Sequence, residues 1–118
     1  MPAPSAPAGF PRAARLLTGG DYRYVFQDAQ RVRGRHLTLL YRPRQEAGPA
    51  RLGLAIGKRH VRRAVRRNRI KRVAREAFRQ RRGDLPAVDI IILARGGAGE
   101  VETEALRREI DHLLDRIR

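Results

Sequence analysis

Cysteine is absent from all 118 residues of the chain. Neither a disulfide framework nor a thiolate metal site is therefore possible, and a reducing cytosol suits the protein. The longest apolar run, residues 90–94, is far shorter than the roughly 20 residues that span a bilayer. The first eleven residues lack the charged start and apolar core of a signal peptide. We expect a cytoplasmic protein without a membrane partner, with a disordered Pro/Ala-rich tail at 1–11 and one domain at 12–118.

Acidic residues are also scarce: 12 Asp and Glu stand against 27 Lys and Arg, a formal net charge of +15. The imbalance is local, because residues 51–82 hold 14 of the basic residues and a single acid, Glu76. Solvated helix faces normally mix Glu with Lys to form pairs four residues apart. Arginine outnumbers lysine 12 to 2 in this segment, and guanidinium groups bind phosphate bidentately and stack on bases. The segment predicts a surface that binds structured nucleic acid.

Hydrophobic spacing predicts an α+β two-layer sandwich with a mixed sheet of about four strands and three helices, in the order α-β-β-α-β-α. The first helix, at about 20–30, starts at a near capping box of Thr18 and Asp21. Strands at 35–42 and 51–57 are expected to form a hairpin. The β-branched run at 88–94 is typical of a central strand. Thr103 could cap the last helix, whose apolar stripe is Leu106, Ile110, Leu113, Leu114 and Ile117.

The basic helix divides into faces when one residue is placed every 100°. Ile70, Val73, Ala74 and Ala77 form a stripe that can lie on a sheet, with Phe78 at its edge. Asn68, Lys71, Arg72, Arg75, Arg79 and Arg82 lie opposite. The periodicity breaks near Arg66 or Arg67, so the first turn overhangs the sheet or the helix starts late.

Few residues could carry out catalysis without a partner. His36, His60 and His112 stand in unrelated predicted elements without metal-ligand spacing, and the expected reading is surface or interface histidines. Asp84 and Asp89 flank the central strand but make a poor paired-carboxylate site. The aromatic residues Tyr22, Phe26 and Tyr41 either fill the core or form a stacking platform for unpaired bases, and both readings stay open.

The run AVRRNRIKRVAREAFR at residues 64–79 resembles the signature of the bacterial ribonuclease P protein subunit. The matching residues are Arg67, Asn68, Arg69, Ile70, Lys71, Arg72, Arg75, Glu76, Phe78 and Arg79. The similarity extends through RLGLAIGKRHVRRA, DYRYVF and VRGRHLTLLY upstream and through VDIIILAR downstream. It covers about residue 12 to the end of the chain.

The resemblance implies a protein that binds a catalytic RNA subunit and the 5′ leader of precursor tRNA, and so assists endonucleolytic removal of the leader. It implies that magnesium is held mainly by the RNA subunit and substrate, that the protein holds no metal and supplies no catalytic residue, and that no protein partner is obligatory. It also implies an uncommon left-handed crossover through the basic helix. The implied RNA-binding residues are Lys58, Arg59, Arg62, Arg63, Arg66, Arg67, Asn68, Arg69, Lys71, Arg72, Arg75 and Arg79.

The implied leader cleft involves Tyr22, Phe26, Arg35 and Leu40. Members of the family often have an aromatic residue where this chain has Leu40, and the neighbouring Tyr41 is expected to point to the other face of the sheet.

Two other classes of protein share some of these features. A ribosomal or DNA-packaging protein would use the basic face without an aromatic cleft, and a self-sufficient nuclease would need a carboxylate and metal cluster.

Overall fold

The computed structural model describes residues 14–16 and 18–117. The predicted tail at 1–11 lies outside them. The main elements, in chain order, are α1 (Gly19–Gln27), β1 (Gln30–Arg33), β2 (Leu37–Pro43), β3 (Arg51–Ala55), α2 (Ala64–Arg81), β4 (Val88–Ala94) and α3 (Thr103–Asp115). Short 3₁₀ turns follow α2 at Arg82–Asp84 and precede α3 at Ala98–Glu100.

The sheet has four strands in the order β1-β2-β4-β3. β4 is central, antiparallel to β2 and parallel to β3. The predicted mixed sheet of four strands with three helices is confirmed, as is the central place of the β-branched run. α2 joins the parallel pair β3 and β4, which is the connection that the family resemblance implies. The left hand of that crossover stays a prediction.

The predicted hairpin between the second and third of these strands is wrong. β4 lies between β2 and β3, and the hairpin partner of β2 is β1, a strand that hydrophobic spacing did not predict. Hydrophobic spacing gives no clear signal for β1, because only Val32 of its four residues is buried. β4 takes the central position because its β-branched side chains are buried on both faces, which suits a strand covered on both sides.

The helices cover the two faces of the sheet unequally. α2 and α3 pack on one face and form the main core, which includes Leu39, Tyr41, Ile70, Phe78, Ile90, Ile92, Leu106 and Ile110. On the other face, Val25 of α1 packs with Leu16, Leu40 and Ile91. The sheet and the pair α2 and α3 make up the expected two-layer sandwich. The short α1 covers part of the second face and leaves a cleft beside it.

One of the two predicted helix caps is present in the structure. At α1 the capping box is present, since the Asp21 amide donates to the Thr18 hydroxyl at 3.1 Å and the Thr18 amide donates to the Asp21 carboxylate at 3.0 Å. At α3 the prediction is wrong: Glu102 is the N-cap residue and its side chain makes no capping hydrogen bond. Thr103 lies inside the helix, and its hydroxyl accepts a hydrogen bond from Arg69 instead, at 3.2 Å.

A buried ion pair fixes the start of the parallel strands. Asp89 is only 1% exposed and faces Arg51 across the β3–β4 register. Arg51 donates two hydrogen bonds to the Asp89 carboxylate, at 2.8 and 2.7 Å. These bonds raise the pKa of Arg51 above its ordinary value. Asp89 is therefore neutralised by a structural partner, as a carboxylate in the interior has to be.

Glu109 of α3 holds the turn between β1 and β2. Its carboxylate accepts hydrogen bonds from the backbone amides of His36 and Leu37, both at 2.8 Å. Gly34 makes this approach possible, because a Cβ added there would lie 2.4 Å from a Glu109 carboxylate oxygen. The strand edge beside the cleft is thereby tied to the helical layer.

Candidate nucleic-acid interface

The buried face of α2 follows the predicted stripe. Ile70, Val73, Ala74, Ala77 and Phe78 are all buried, and Phe78 lies fully inside the core and not at its edge. The predicted break in periodicity coincides with the start of the helix. α2 begins at Ala64, so Val61 is buried in the preceding loop, whereas Val65 in the first turn is 70% exposed. The N-terminal end of the helix therefore carries charge without an apolar contact face.

The segment 56–63 between β3 and α2 carries four cations. Lys58, Arg59, Arg62 and Arg63 are exposed. Within the described part of the chain their side chains form no hydrogen bond or ion pair. We call these four residues the basic loop. Charges that are exposed and unpaired remain available to a polyanion, and their mutual repulsion falls when one binds.

Arg67 organises the basic loop from the first turns of α2. Its guanidinium donates to the backbone carbonyls of Val61 and Arg62, at 3.0 and 2.8 Å. The amide of Val61 in turn donates to the Gly57 carbonyl at 3.1 Å. A planar guanidinium can hold two carbonyl oxygens in fixed positions, which a lysine ammonium does less well. Arg67 therefore acts as a brace for the loop, although other N–H groups of its guanidinium can still meet a ligand.

Arg69 and Arg66 hold the glycine-rich turn between β4 and α3. Arg69 donates to the Gly99 carbonyl at 3.0 Å, and Arg66 forms an ion pair with Glu100 at 2.8 Å. A Cβ at Gly99 would lie 3.2 Å from Val61 and 3.4 Å from Arg66. The glycine thus permits close packing between this turn and the start of α2. The turn is therefore held against the start of α2.

The predicted RNA-binding set divides into two groups. Arg66, Arg67, Arg69 and Arg79 have partners within the protein, Arg79 through a 2.6 Å ion pair to Glu76 that lowers the pKa of that carboxyl. The second group has no such partner within the described residues and consists of the basic loop together with Asn68, Lys71, Arg72 and Arg75. The sequence shows where the basic residues are, but not which of them form hydrogen bonds or ion pairs within the protein.

Replacing Arg67 with lysine should loosen the basic loop while conserving its charge. The Arg67→Lys variant loses the paired donation to Val61 and Arg62, so we expect the Val61 amide to exchange its hydrogen at least about tenfold faster, the effect of one charge-assisted hydrogen bond. Native-state hydrogen exchange measures this. Amides of β4 serve as the internal control and should keep their exchange rates. Unchanged exchange at Val61 would contradict the bracing role.

A cleft lies on the second face of the sheet, beside α1. It encloses a cavity of about 390 Å³ lined by Phe26, Arg31, Arg33, Thr38, Leu40, His60 and the end of β4. Phe26 is 50% exposed, so it does not fill the core, whereas Tyr41 lies in the main core on the opposite face, as expected. Leu40 is buried at the floor of the cavity. Arg35 is exposed between β1 and β2 and does not line this cavity.

Tyr22 and Phe26 line different cavities. Tyr22 lines a separate cavity of about 160 Å³ with Lys71 and Arg75. Its hydroxyl accepts a hydrogen bond from the Leu54 amide at 3.2 Å, and its ring lies so close to Gly53 that an added Cβ would come within 2.8 Å of it. The aromatic ring available in the larger cavity is therefore Phe26 alone.

Sequence reasoning did not assign most of the residues that line the cleft, which include Arg31, Arg33, Thr38, His60 and the end of β4. The alternation of Arg31, Val32 and Arg33 could have placed both arginines on one face of a strand, since side chains alternate with period two. His60 lines both the cleft and a second cavity of about 280 Å³ with Arg62, Arg63 and Arg66. It therefore marks the junction between the basic loop and the cleft.

Two features of residues 14–16 and 18–117 bear on other functions. They contain no group of three or more histidine, aspartate or glutamate side chains placed to hold a metal ion. The helices within those ranges are too short or too polar to cross a bilayer.

The fold and this surface define a small α+β protein with a cationic helix, a basic loop and a cleft holding one exposed aromatic ring. Comparisons with known proteins agree with that description. The family model for ribonuclease P matches residues 10–118. The ribonuclease P protein component of Chromohalobacter salexigens is 47% identical over 110 residues, covering 92% of this chain and 85% of that protein. That of Photorhabdus laumondii is 46% identical over 107 residues, covering 91% and 89%.

Solved structures give the same result. The ribonuclease P protein of Staphylococcus aureus superposes with a TM-score of 0.81 at 29% identity, over 88% of this chain and 94% of that one. The protein from Thermotoga maritima has a TM-score of 0.76 at 28% identity, over 88% and 97%. The chain belongs to the family of bacterial ribonuclease P protein components.

Proposed function

We propose that this protein binds the catalytic RNA of ribonuclease P through the basic loop and the exposed cations of α2. The observation that carries this proposal is the group of exposed, unpartnered cations on the basic loop, whose backbone is braced by Arg67. Pre-ordered donors bind with a smaller entropy loss than mobile ones. Each phosphate neutralised should add about 0.7 to 0.9 to the slope of log affinity against log salt. The complex would form in the cytoplasm and needs no further protein partner.

The cleft beside α1 is proposed to hold the single-stranded 5′ leader of precursor tRNA. Phe26 offers a half-exposed ring on which a base can stack, while Arg31 and Arg33 line the same cavity and can meet phosphates. His60 connects this cavity with the basic loop. The arrangement would let one protein contact the catalytic RNA and the substrate leader on adjoining surfaces. Tyr22 would contribute from its own cavity with Lys71 and Arg75.

Magnesium is proposed to be held by the RNA subunit and the substrate. The protein offers a poor donor set, because Asp89 is bonded by Arg51 and that same guanidinium lies 4.0 Å from Asp21. A positive group between two acids disfavours a second cation there. The protein would accordingly position RNA and substrate and would not supply the attacking group.

Competition between substrates tests the leader cleft. The protein reconstituted with the catalytic RNA is offered precursor tRNA and mature tRNA in equilibrium binding. We expect tighter binding of the precursor, and a smaller preference when the protein is omitted. If precursor and mature tRNA bound equally tightly, both in the presence and in the absence of the protein, the leader role would be refuted. A ribosomal or DNA-packaging role would give binding without this preference.

A further inference from the structure

Thr38 is a polar residue in an unusual position. It lies in β2, is only 6% exposed, and pairs with Arg33 of β1 and Leu93 of β4. Because side chains alternate along a strand, Thr38 shares its face with Leu40. Both residues line the cavity that contains Phe26. Thr38 therefore contributes the floor of the cleft and not its rim.

The hydroxyl of Thr38 has no hydrogen-bond partner among the described residues. Every fully enclosed side-chain nitrogen or oxygen in that part of the chain does have a partner. The Thr38 oxygen must therefore keep some open surface, and the cavity it lines is the space beside it. A buried hydroxyl without a protein partner is costly unless water or a ligand completes its hydrogen bonds.

The surroundings of this hydroxyl fit one nucleotide. The ring of Phe26 provides a stacking surface, and Arg31 and Arg33 provide charge for the flanking phosphates. The cavity volume of about 390 Å³ is within the usual range of small-molecule sites, roughly 300 to 1,000 Å³. Unpaired bases in protein complexes are commonly stacked on an aromatic side chain and hydrogen-bonded along an edge. In this cavity the Thr38 hydroxyl is a neutral group that can meet such an edge, alongside His60 and the arginines.

We propose that Thr38 hydrogen-bonds to the base edge of one leader nucleotide and thereby sets a base preference at that single position. The inference rests on the proposed leader cleft. A threonine hydroxyl both donates and accepts, so it can meet either kind of edge group. It discriminates against a base that offers neither, because the hydroxyl is then left buried and unpaired.

The test compares Thr38→Val, which keeps the shape and removes the hydroxyl, with Thr38→Ser, which keeps the hydroxyl. Each protein is reconstituted with the catalytic RNA and given precursor tRNAs in which one leader base at a time is replaced by an abasic residue. We expect Thr38→Val to bind intact precursor roughly two- to twelvefold more weakly, the range for one neutral hydrogen bond. Thr38→Ser should bind nearly as wild type does. The deficit of Thr38→Val should vanish when one particular leader position is abasic.

Three outcomes would overturn the inference. Thr38→Val could bind every precursor as wild type does, or its deficit could be equal for all abasic positions and for mature tRNA. In either case, a wild-type preference for precursor over mature tRNA would leave the leader cleft intact and remove only the role of Thr38. If wild type itself showed no such preference, the leader cleft would fail and this inference with it. Thermal melting of both variants checks that the sheet is unchanged.

Discussion

Removing Arg62 and Arg63 together should weaken binding of the catalytic RNA by roughly 25- to 60-fold at 0.1 M salt, if each side chain neutralises one phosphate. Both side chains are exposed and unpartnered within the described residues, so their loss should leave the fold unchanged. The slope of log affinity against log salt should fall by about 1.4 to 1.8. A salt titration of binding by Arg62→Ala/Arg63→Ala measures both quantities.

The matched control removes the same charge from another surface. Arg108 and Arg116 are also exposed arginines without a partner in the described structure, and they lie on and just after α3. The Arg108→Ala/Arg116→Ala protein should retain the wild-type salt slope. Equal losses in the two double variants would indicate that total charge, and not the basic loop, determines binding.

Replacing Phe26 with alanine should reduce the preference for precursor over mature tRNA by roughly 5- to 150-fold, the equivalent of about 1 to 3 kcal/mol for one stacked base. Half of the Phe26 side chain is exposed, so its removal leaves the main core intact. The expected loss is confined to substrates that carry a leader. Parallel binding titrations with precursor and mature tRNA measure the preference directly.

Val65 supplies the control for this second prediction. It is the other large apolar residue exposed in the described structure, and it lies in the first turn of α2, outside the Phe26 cavity. Val65→Ala should keep the preference for precursor. Phe26→Trp should also keep it, because an indole ring can stack on a base. A Phe26→Ala protein that loses both tRNAs equally, or that no longer folds, would favour a structural role for the ring.

Local periodicity accounts for most of the secondary structure. The stripe of Ile70, Val73, Ala74 and Ala77 predicts the buried face of α2 because a helix repeats every 3.6 residues whatever it packs against. The β-branched run of β4 predicts a central strand for the same local reason. Strand pairing is different. Whether β2 pairs with β1, β3 or β4 depends on contacts between distant segments. Proximity in sequence favours a hairpin of β2 with β3, but β4 lies between them.

The functional surface was predictable in outline only. Charge density identified the basic segment, but the positions of acceptors decide which cations remain free. Arg67 meets carbonyls of the preceding loop, and Arg69 meets Gly99, which is 30 residues away. No spacing rule relates these groups. The cleft was hidden likewise, because Thr38 and Phe26 come together only through the packing of α1 on the sheet.

Cleavage of precursor tRNA by the separated and recombined components tests the central claim most directly. The purified protein, the catalytic RNA and their mixture are each incubated with the precursor and magnesium, and release of the 5′ leader is measured. The account predicts no cleavage by the protein alone, and faster cleavage at limiting substrate by the mixture than by the RNA alone. Leader release by the protein without RNA, or no gain from adding protein to RNA, would contradict it.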